Sequence, residues 1–394
     1  MGWLTGDSKV LSPKQEDSRR AFFDPVIKRQ HFRFRISARL ASGRQIDQSQ
    51  GCILDNAQDK APACGWPKLQ VPCSYNRSAD HEQVISVFFV RILKSELMLN
   101  QPLQDLEAWV TFFSNAEMPI LRQTVRRLED ARQNIERISG RDIAAIVLQD
   151  PLMAIRVLGC IQPFRGKHLR SDITTIANAV MMLGIEPFFS RFETPLTIEA
   201  MLKSEPQALL GVLQVIRRVQ RASHYAHDWA FDRHDMNVEE VALAALLHDL
   251  AEILLWCFAP VLAIKIRDRQ QADKTLRSVS AQEQVLGIRL VDLQLALCAA
   301  WHLPELLNTL MDDANAHLPR VQNVTLAVNL ARHSTGNWRD AALPDDLAAI
   351  EKLLHIKRET LLSRLNIPDE FATQYLANES KEMQGGTPTN RRAQ

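Results

Sequence analysis

The sequence has almost no net charge, no long hydrophobic run and no apolar leader. Lys and Arg number 47 against 46 Asp and Glu, so the formal charge is +1 and no global field attracts nucleic acid or an anionic membrane. The longest apolar run, residues 254–264, contains Pro260 and is far shorter than the roughly 20 residues of a bilayer span. The first ten residues contain no apolar signal-peptide core. We therefore expect a cytoplasmic protein without membrane contact.

The sequence also lacks the common local signatures of catalytic sites. Its six cysteines form no Cys-x-x-Cys pair, which argues against a disulfide framework and against a zinc knuckle. It contains no Gly-rich phosphate loop, no Gly-x-Ser-x-Gly elbow and no His-Glu-x-x-His. These absences exclude P-loop nucleotide hydrolases, serine esterases with that elbow and zinc proteases with that helix motif.

Residues 1–97 form an irregular first segment, for which a small β element and disorder are the two interpretations. Residues 31–36 alternate as a half-buried strand does, and residues 84–93 are rich in β-branched and aromatic side chains. The basic side chains between residues 28 and 44 indicate either a phosphate-binding patch for nucleic acid or, as we favour, the solvated face of a hairpin. A further possibility is that Met98 is the natural start.

Residues 98–380 are predicted to be a helical domain, followed by a disordered polar tail at residues 381–394. Leu121, Val125 and Leu128 recur at three- and four-residue steps, which is the apolar stripe of an amphipathic helix. Asp150 and Pro151 supply an N-cap and a first-turn proline for another helix. No stretch between residues 105 and 380 alternates convincingly like a strand, so the fold class is all-α with short connections.

His248 and Asp249 are the one polar pair in an otherwise apolar predicted helix, and two interpretations are open. In the first, they hold one or two divalent ions together with groups from neighbouring helices, and the ion activates a water molecule for attack on a phosphoester. In the second, His248 is a core histidine satisfied by a backbone carbonyl or by Glu252, and Asp249 caps a neighbouring element. The sequence offers four further ligands for the first interpretation, namely His224, His227, Asp312 and Asp313.

Several short motifs follow one another between about residues 105 and 320. They include Met118-Pro119-Ile120-Leu121, Asp150-Pro151-Leu152, Leu183-Gly184, Leu246-Leu247-His248-Asp249-Leu250 and Trp301-His302-Leu303-Pro304. In this order and spacing they resemble the HDOD family, helical signalling domains related to the HD metal-dependent phosphohydrolases. The resemblance implies a two-lobed all-α domain that acts by regulatory binding rather than by turnover.

The sequence departs from the HD pattern at most of the metal-ligand positions. The position of the first His of the HD motif falls at Arg217 or Arg218, where a cation would repel a metal ion. Asp312 and Asp313 stand where many family members have a pair of histidines. The resemblance therefore implies a non-catalytic module, for which no cofactor is expected.

The predicted function is that of a signalling module in bacterial signal transduction that binds a partner protein or a nucleotide-type ligand. If the helix of residues 211–231 packs antiparallel to that of residues 237–258, Arg217, Arg218 and Arg221 face His248 and Asp249 across a groove. An anionic ligand with phosphate or carboxylate groups would suit this groove. A second interpretation has these arginines facing solvent or pairing with Asp249.

The alternative function is that of an enzyme, a divalent-metal phosphohydrolase acting on a phosphoester or a cyclic nucleotide. Its metal would be held by His224 or His227, by the His248-Asp249 pair, and by Asp312 or Asp313. A divalent metal is expected as a cofactor only in this case.

Overall fold

The computed structural model describes residues 98–161, 173–193, 196–273, 275–336, 338–373 and 375, all within the unit Ser78–Gln394. In these residues the chain is helical and forms no β-strand, apart from one isolated parallel bridge between Ile120 and Thr197. The all-α prediction is confirmed for this part of the chain. The predictions for residues 1–97, including the basic segment 28–44, and for the tail 381–394 lie outside the described residues.

The helices are numbered here in chain order. Those of the first half are α1 (Leu106–Asn115), α2 (Arg122–Gln133), α3 (Gly140–Val147), α4 (Pro151–Ile161), α5 (Ile176–Leu183), α6 (Ile185–Arg191) and α7 (Ile198–Met201). Those of the second half are α8 (Pro206–Asp232), α9 (Val238–Leu247), α10 (Leu250–Phe258), α11 (Pro260–Ala272), α12 (Ser278–Leu286), α13 (Leu290–Ala300), α14 (Glu305–Met311), α15 (Pro319–His333), α16 (Leu343–Leu354) and α17 (Arg358–Arg364).

Several of these helices begin at a side chain that accepts a hydrogen bond from the first turn. Asp105, Thr175 and Thr197 cap α1, α5 and α7 in this way. Ser139 and Asp142 form a reciprocal capping box at the start of α3. Each such cap satisfies a backbone N–H that has no partner within the helix and stabilises the helix by about 1 kcal/mol.

The buried carboxylate of Asp150 fixes the start of α4 to the start of α2. Its Oδ1 accepts hydrogen bonds from the backbone N–H groups of Leu152 and Met153, so the predicted N-cap is confirmed. Its Oδ2 accepts from the N–H of Leu121 at 2.7 Å and from the hydroxyl of Thr124 at 2.9 Å. Burial raises the pKa of Asp150, although these four donors favour the charged form.

α8 is 27 residues long and packs against α9, α10 and α15. The helix predicted from about residue 237 to 258 is divided in the structure, because α9 ends at Leu247, α10 begins at Leu250, and His248 and Asp249 form a turn between them. Buried Gln294 of α13 supports this break. Its side chain accepts from the N–H of Ala251 and donates to the carbonyl of Leu247, both at 2.9 Å.

The first helix docks on elements that lie far along the chain. Phe112 and Phe113 of α1 each place their ring centroid 6.0 Å from that of Phe258, at the end of α10. The N–H of Leu99 donates to the carbonyl of Phe258 at 2.7 Å. α1 also packs against α13. The buried side chains from α1 to α17 therefore form one continuous core.

Among the described residues, one stretch has the length and composition of a membrane span. This is Val238–Phe258, with a mean hydropathy of 1.8, and 89% of its most apolar window is buried inside the structure. The apolar composition is explained by this burial, because helices at the centre of a protein core need apolar side chains on every face.

Candidate functional site

Four charged side chains from three helices meet beside the break between α9 and α10. Arg218 of α8 donates to Asp249 Oδ2 from Nη2 at 2.5 Å and from Nε at 3.0 Å. The same Nη2 lies 2.6 Å from Glu252 Oε2. Arg332 of α15 donates from Nη2 to Asp249 Oδ1 at 3.1 Å. Together Arg218, Asp249, Glu252 and Arg332 are called the Asp249 cluster below.

The break between the two helices places both carboxylates within reach of the arginines. Asp249 is the residue before α10, and Glu252 lies in the first turn of α10, three residues further on and on the same side of the helix. The amino-terminal end of a helix carries a partial positive charge, which stabilises carboxylates at this position. Asp249 and Glu252 therefore place two carboxylates next to α8.

Asp249 is ionised despite its burial. Burial raises its pKa, but the charges of Arg218 and Arg332 together with the hydrogen bond from His248 lower it by more, so the pKa lies well below its usual range. Burial likewise lowers the pKa of Arg218, while Glu252 and Asp249 raise it by more, so that it lies above its ordinary value. The Arg218 and Asp249 side chains are only 15% and 6% exposed, so water screens their attraction weakly.

His248 is largely buried next to the cluster. Its Nδ1 lies 3.1 Å from Asp249 Oδ1. Its Nε2 is buried and has no hydrogen-bond partner among the described residues. Glu252, which the sequence suggested as a partner for this ring, contacts Arg218 instead.

The remaining predicted metal ligands contact other groups. His224 and His227 are exposed on α8 and approach Asp228 of the same helix, at 3.5 and 3.3 Å. Asp312 caps the short 3-10 helix Asp313–Asn315, and Asp313 accepts a hydrogen bond from a threonine of α15. Within the described ranges, no group of three or more His, Cys, Asp and Glu side chains is arranged to hold a metal ion.

Of the three arginines predicted to face the His-Asp pair, Arg218 contacts it. Arg221 donates to the carbonyl of Ala331 at 2.9 Å and to the hydroxyl of Thr335 at 3.1 Å, at the end of α15. Arg217 is exposed. The spacing explains the position of Arg217, because adjacent residues of a helix are rotated by about 100° from each other. Arg221 lies on the same side of α8 as Arg218, but nearly one turn further along, where it meets the end of α15.

Two residues of the site were missed by the sequence reasoning. Gln294 carries a detectable signal, because it is a polar side chain inside the apolar helix α13, as the His-Asp pair is inside its own segment. Arg332 carries none. It lies 83 residues after Asp249, and it is one of several arginines on helices that are exposed on one side.

A groove runs beside the Asp249 cluster between α8 and α10 and is bordered by α11, α12 and the end of α15. It encloses a cavity of about 340 Å³. This space is called the α8–α10 groove. Of the five residues that the sequence assigned to a groove between these two segments, Arg218 is the one in its lining. Its lining includes Gly211, Arg218, Glu252, Trp256, Arg267 and Arg332.

The Asp249 cluster does not fit an HD-type metal ion. Two guanidinium groups already contact both carboxylate oxygens of Asp249, so a dication at this position would meet two fixed positive charges. The histidines that could add donors, His224 and His227, contact Asp228. The fold and this site together define a class, namely an HD-like helical domain whose His-Asp pair is neutralised by its own arginines.

The comparison with protein families identifies the family. The model of the HDOD domain matches residues 118–317, slightly more than half of the chain. The chain therefore belongs to the HDOD family. The search of the curated proteins found no match.

Several solved structures are similar to this chain at low sequence identity. The MmoQ response regulator of Methylococcus capsulatus is 16% identical, with 65% of this chain and 99% of that chain covered and a TM-score of 0.49. A virulence factor of Campylobacter jejuni is 18% identical, covers 71% and 99%, and has a TM-score of 0.46. An HDOD domain protein of unknown function from Geobacter sulfurreducens is 18% identical, covers 63% and 99%, and has a TM-score of 0.30. These similarities are too remote to assign a function.

Proposed function

We propose that this chain is a non-catalytic regulatory module of bacterial signal transduction, located in the cytoplasm, that binds a partner protein or a small anionic ligand. Its membership of the HDOD family, whose members resemble HD hydrolases without their full metal site, supports a signalling role. The main observation in support of the proposal is that Asp249 forms ion pairs with both Arg218 and Arg332. The protein's own guanidinium groups hold the carboxylate that a hydrolase would offer to its metal.

A divalent ion at Asp249 would have to displace Arg218 and Arg332, which together supply hydrogen bonds to both carboxylate oxygens. Each hydrogen bond to a charged group contributes about 1.5–3 kcal/mol, and the displaced Arg218 would remain in a largely buried position without its partner. The site therefore favours the arginines over a hydrated dication. Without a metal ion, we expect the module to act by binding a partner or ligand at the groove.

The alternative, a divalent-metal phosphohydrolase, is tested with the purified full chain. We expect far less than one equivalent of Mn, Fe, Zn or Mg after purification, and no hydrolysis of a generic phosphodiester above the buffer rate when Mn²⁺ or Mg²⁺ is added. The Asp249→Ala variant should behave like the wild type in this assay. Near-stoichiometric metal together with hydrolysis that is lost in Asp249→Ala would contradict the proposal and would favour the enzyme.

A further inference from the structure

The lining of the α8–α10 groove contains more guanidinium groups than carboxylates. Three guanidinium groups, those of Arg218, Arg267 and Arg332, line it together with one carboxylate, that of Glu252. The carboxylates of Asp249 and Asp268 pair with these arginines from outside the lining, so the charges of the whole group balance. The cavity of about 340 Å³ lies at the small end of the range typical of ligand pockets. A small anion can therefore bind in the groove where it takes the place of a carboxylate on one of these guanidinium groups.

The three arginines differ in how fully the protein already uses them. Arg218 is 15% exposed and contacts both Asp249 and Glu252, so it is fully committed. Arg332 is 43% exposed, and among the described residues its one hydrogen bond runs from Nη2 to Asp249. A guanidinium group carries five N–H donors, so Arg332 keeps a donor face for a ligand.

Arg267 of α11 supplies further donors to the lining. Its Nε and Nη2 donate to Asp268 at 3.1 and 3.0 Å, and Nη2 also lies 3.3 Å from Gln207 Oε1, so Nη1 is the nitrogen without a hydrogen bond to the described residues. Its side chain is 31% exposed, and its guanidinium carbon lies 5.8 Å from the ring centroid of Trp256. Trp256 is itself held against α8, because Gly211 has no side chain at the point where the indole ring passes. The stacked indole restricts the motion of Arg267 and so lowers the entropy that is lost when a ligand orders it.

We infer that the α8–α10 groove binds a small phosphate-bearing anion through Arg332 and Arg267, in competition with the carboxylates of Asp249, Asp268 and Glu252. This inference rests on the proposed binding function and names the ligand class for it. Planar guanidinium groups bind phosphate oxygens in a bidentate manner, so two of them in one groove suit a phosphate-bearing ligand. Because an anion in the groove attracts Arg332 away from Asp249, ligand binding weakens the contact between α15 and the turn before α10.

The competition predicts that substitution of an arginine and substitution of Glu252 change the affinity for the anion in opposite directions. Removing a donor with Arg332→Gln or Arg267→Gln should weaken anion binding about tenfold. Removing the opposing charge with Glu252→Gln should strengthen binding about threefold, because this carboxylate lines the groove and repels an anion. Arg132→Gln is the matched control, since Arg132 is 48% exposed and pairs with Glu193 on another part of the surface.

The experiment is isothermal titration of the full chain at low ionic strength with EDTA present, using inorganic phosphate in one arm and adenosine monophosphate in the other. We expect saturable one-to-one binding in at least one arm. Tighter binding of the nucleotide indicates a nucleotide source, and equal binding indicates a site for the phosphate group alone. Melting temperatures of all variants show that each one is folded.

Three results would overturn the inference: no saturable binding in either arm, equal weakening by Arg132→Gln, or unchanged affinity in Glu252→Gln. None of them concerns metal or turnover, which test the proposed function separately. If the chain retained a metal and hydrolysed phosphodiesters, the proposed function would fail. Anion binding measured in EDTA would still be judged by the opposite effects of the arginine and Glu252 substitutions on affinity.

Discussion

At the scale of single residues, Asp249 is the side chain on which the site depends. It is 6% exposed, yet it is charged, and its charge is balanced by one arginine from α8 and another from α15. A buried ion pair of this kind contributes little net stability compared with apolar residues, but removal of one partner leaves the other charge buried and unpaired. Asp249 thus links three helices through its two ion pairs.

Replacement of Asp249 by Asn should destabilise the protein by about 3 kcal/mol at neutral pH, because Arg218 and Arg332 lose their shared carboxylate. The pKa of Asp249 is depressed in the folded state, so its stabilising contribution is present above the ordinary value of 3.8 and is lost as the pH falls through the folded pKa. The measurement is urea unfolding of both proteins between pH 7 and pH 3. We expect a constant difference in the free energy of unfolding above about pH 5 that shrinks below about pH 4.

Asp292→Asn is a suitable control, because Asp292 is 38% exposed and pairs with Arg289 on the surface of α13. This change should alter stability by less than about 1 kcal/mol. If the difference between wild type and Asp249→Asn did not depend on pH down to pH 3, Asp249 would not be an ionised partner of the two arginines.

A residue of the site could be predicted from the sequence where its polarity or charge differed from that of the surrounding segment. The His248-Asp249 pair interrupts an apolar run, and the family resemblance put a cation at residue 217 or 218, so both sides of the Arg218–Asp249 pair could be named. The partner Arg332 could not be named, because sequence periodicity shows which face of α15 is buried but not which distant turn that face meets.

At the scale of elements, the same periodicity predicted the helices but not the break between α9 and α10. Apolar side chains continue on both sides of residues 248 and 249, so the pattern is that of one buried helix. The break needs a partner for the backbone groups it exposes, and this partner, Gln294, comes from α13. Helix boundaries inside a fully buried segment therefore depend on tertiary hydrogen bonds that a local pattern does not contain.

The contact between α8 and α10 depends on Gly211. A Cβ atom at this position would lie 2.6–2.7 Å from ring atoms of Trp256. We expect Gly211→Ala to destabilise the protein by about 1–2 kcal/mol, because displacement of the buried ring outweighs the gain in helix propensity. Chemical unfolding of both proteins measures this difference.

Gly159 in α4 is the control for this change, because a Cβ atom built there meets nothing within 4 Å. Gly159→Ala should therefore stabilise the protein by about 0.5–1 kcal/mol through helix propensity alone. Equal stability of the two alanine variants would show that Trp256 does not pack against α8 in this way.

At the scale of the whole molecule, the family match and the folding unit have different boundaries. The HDOD match covers residues 118–317 and so excludes α1 and α15. Both helices contribute to the single core: Trp109 and Phe113 of α1 are fully buried, and so are Val324 and Leu330 of α15. The physical unit that can bury its own apolar surface is therefore longer than the stretch that identifies the family.

This difference predicts the outcome of truncation. Residues 118–317 alone would expose Phe258, which α1 covers, and the side of α8 that α15 covers. Each large apolar side chain left exposed costs about 1.5–3 kcal/mol, so a few of them equal the 5–15 kcal/mol that stabilises a typical domain. We expect a chain of residues 98–380 to unfold cooperatively in circular dichroism and residues 118–317 to show no cooperative transition. A cooperative transition of the shorter chain within a few degrees of the longer one would mean that α1 and α15 lie outside the folding unit, and that Arg332 reaches Asp249 from an element the core does not require.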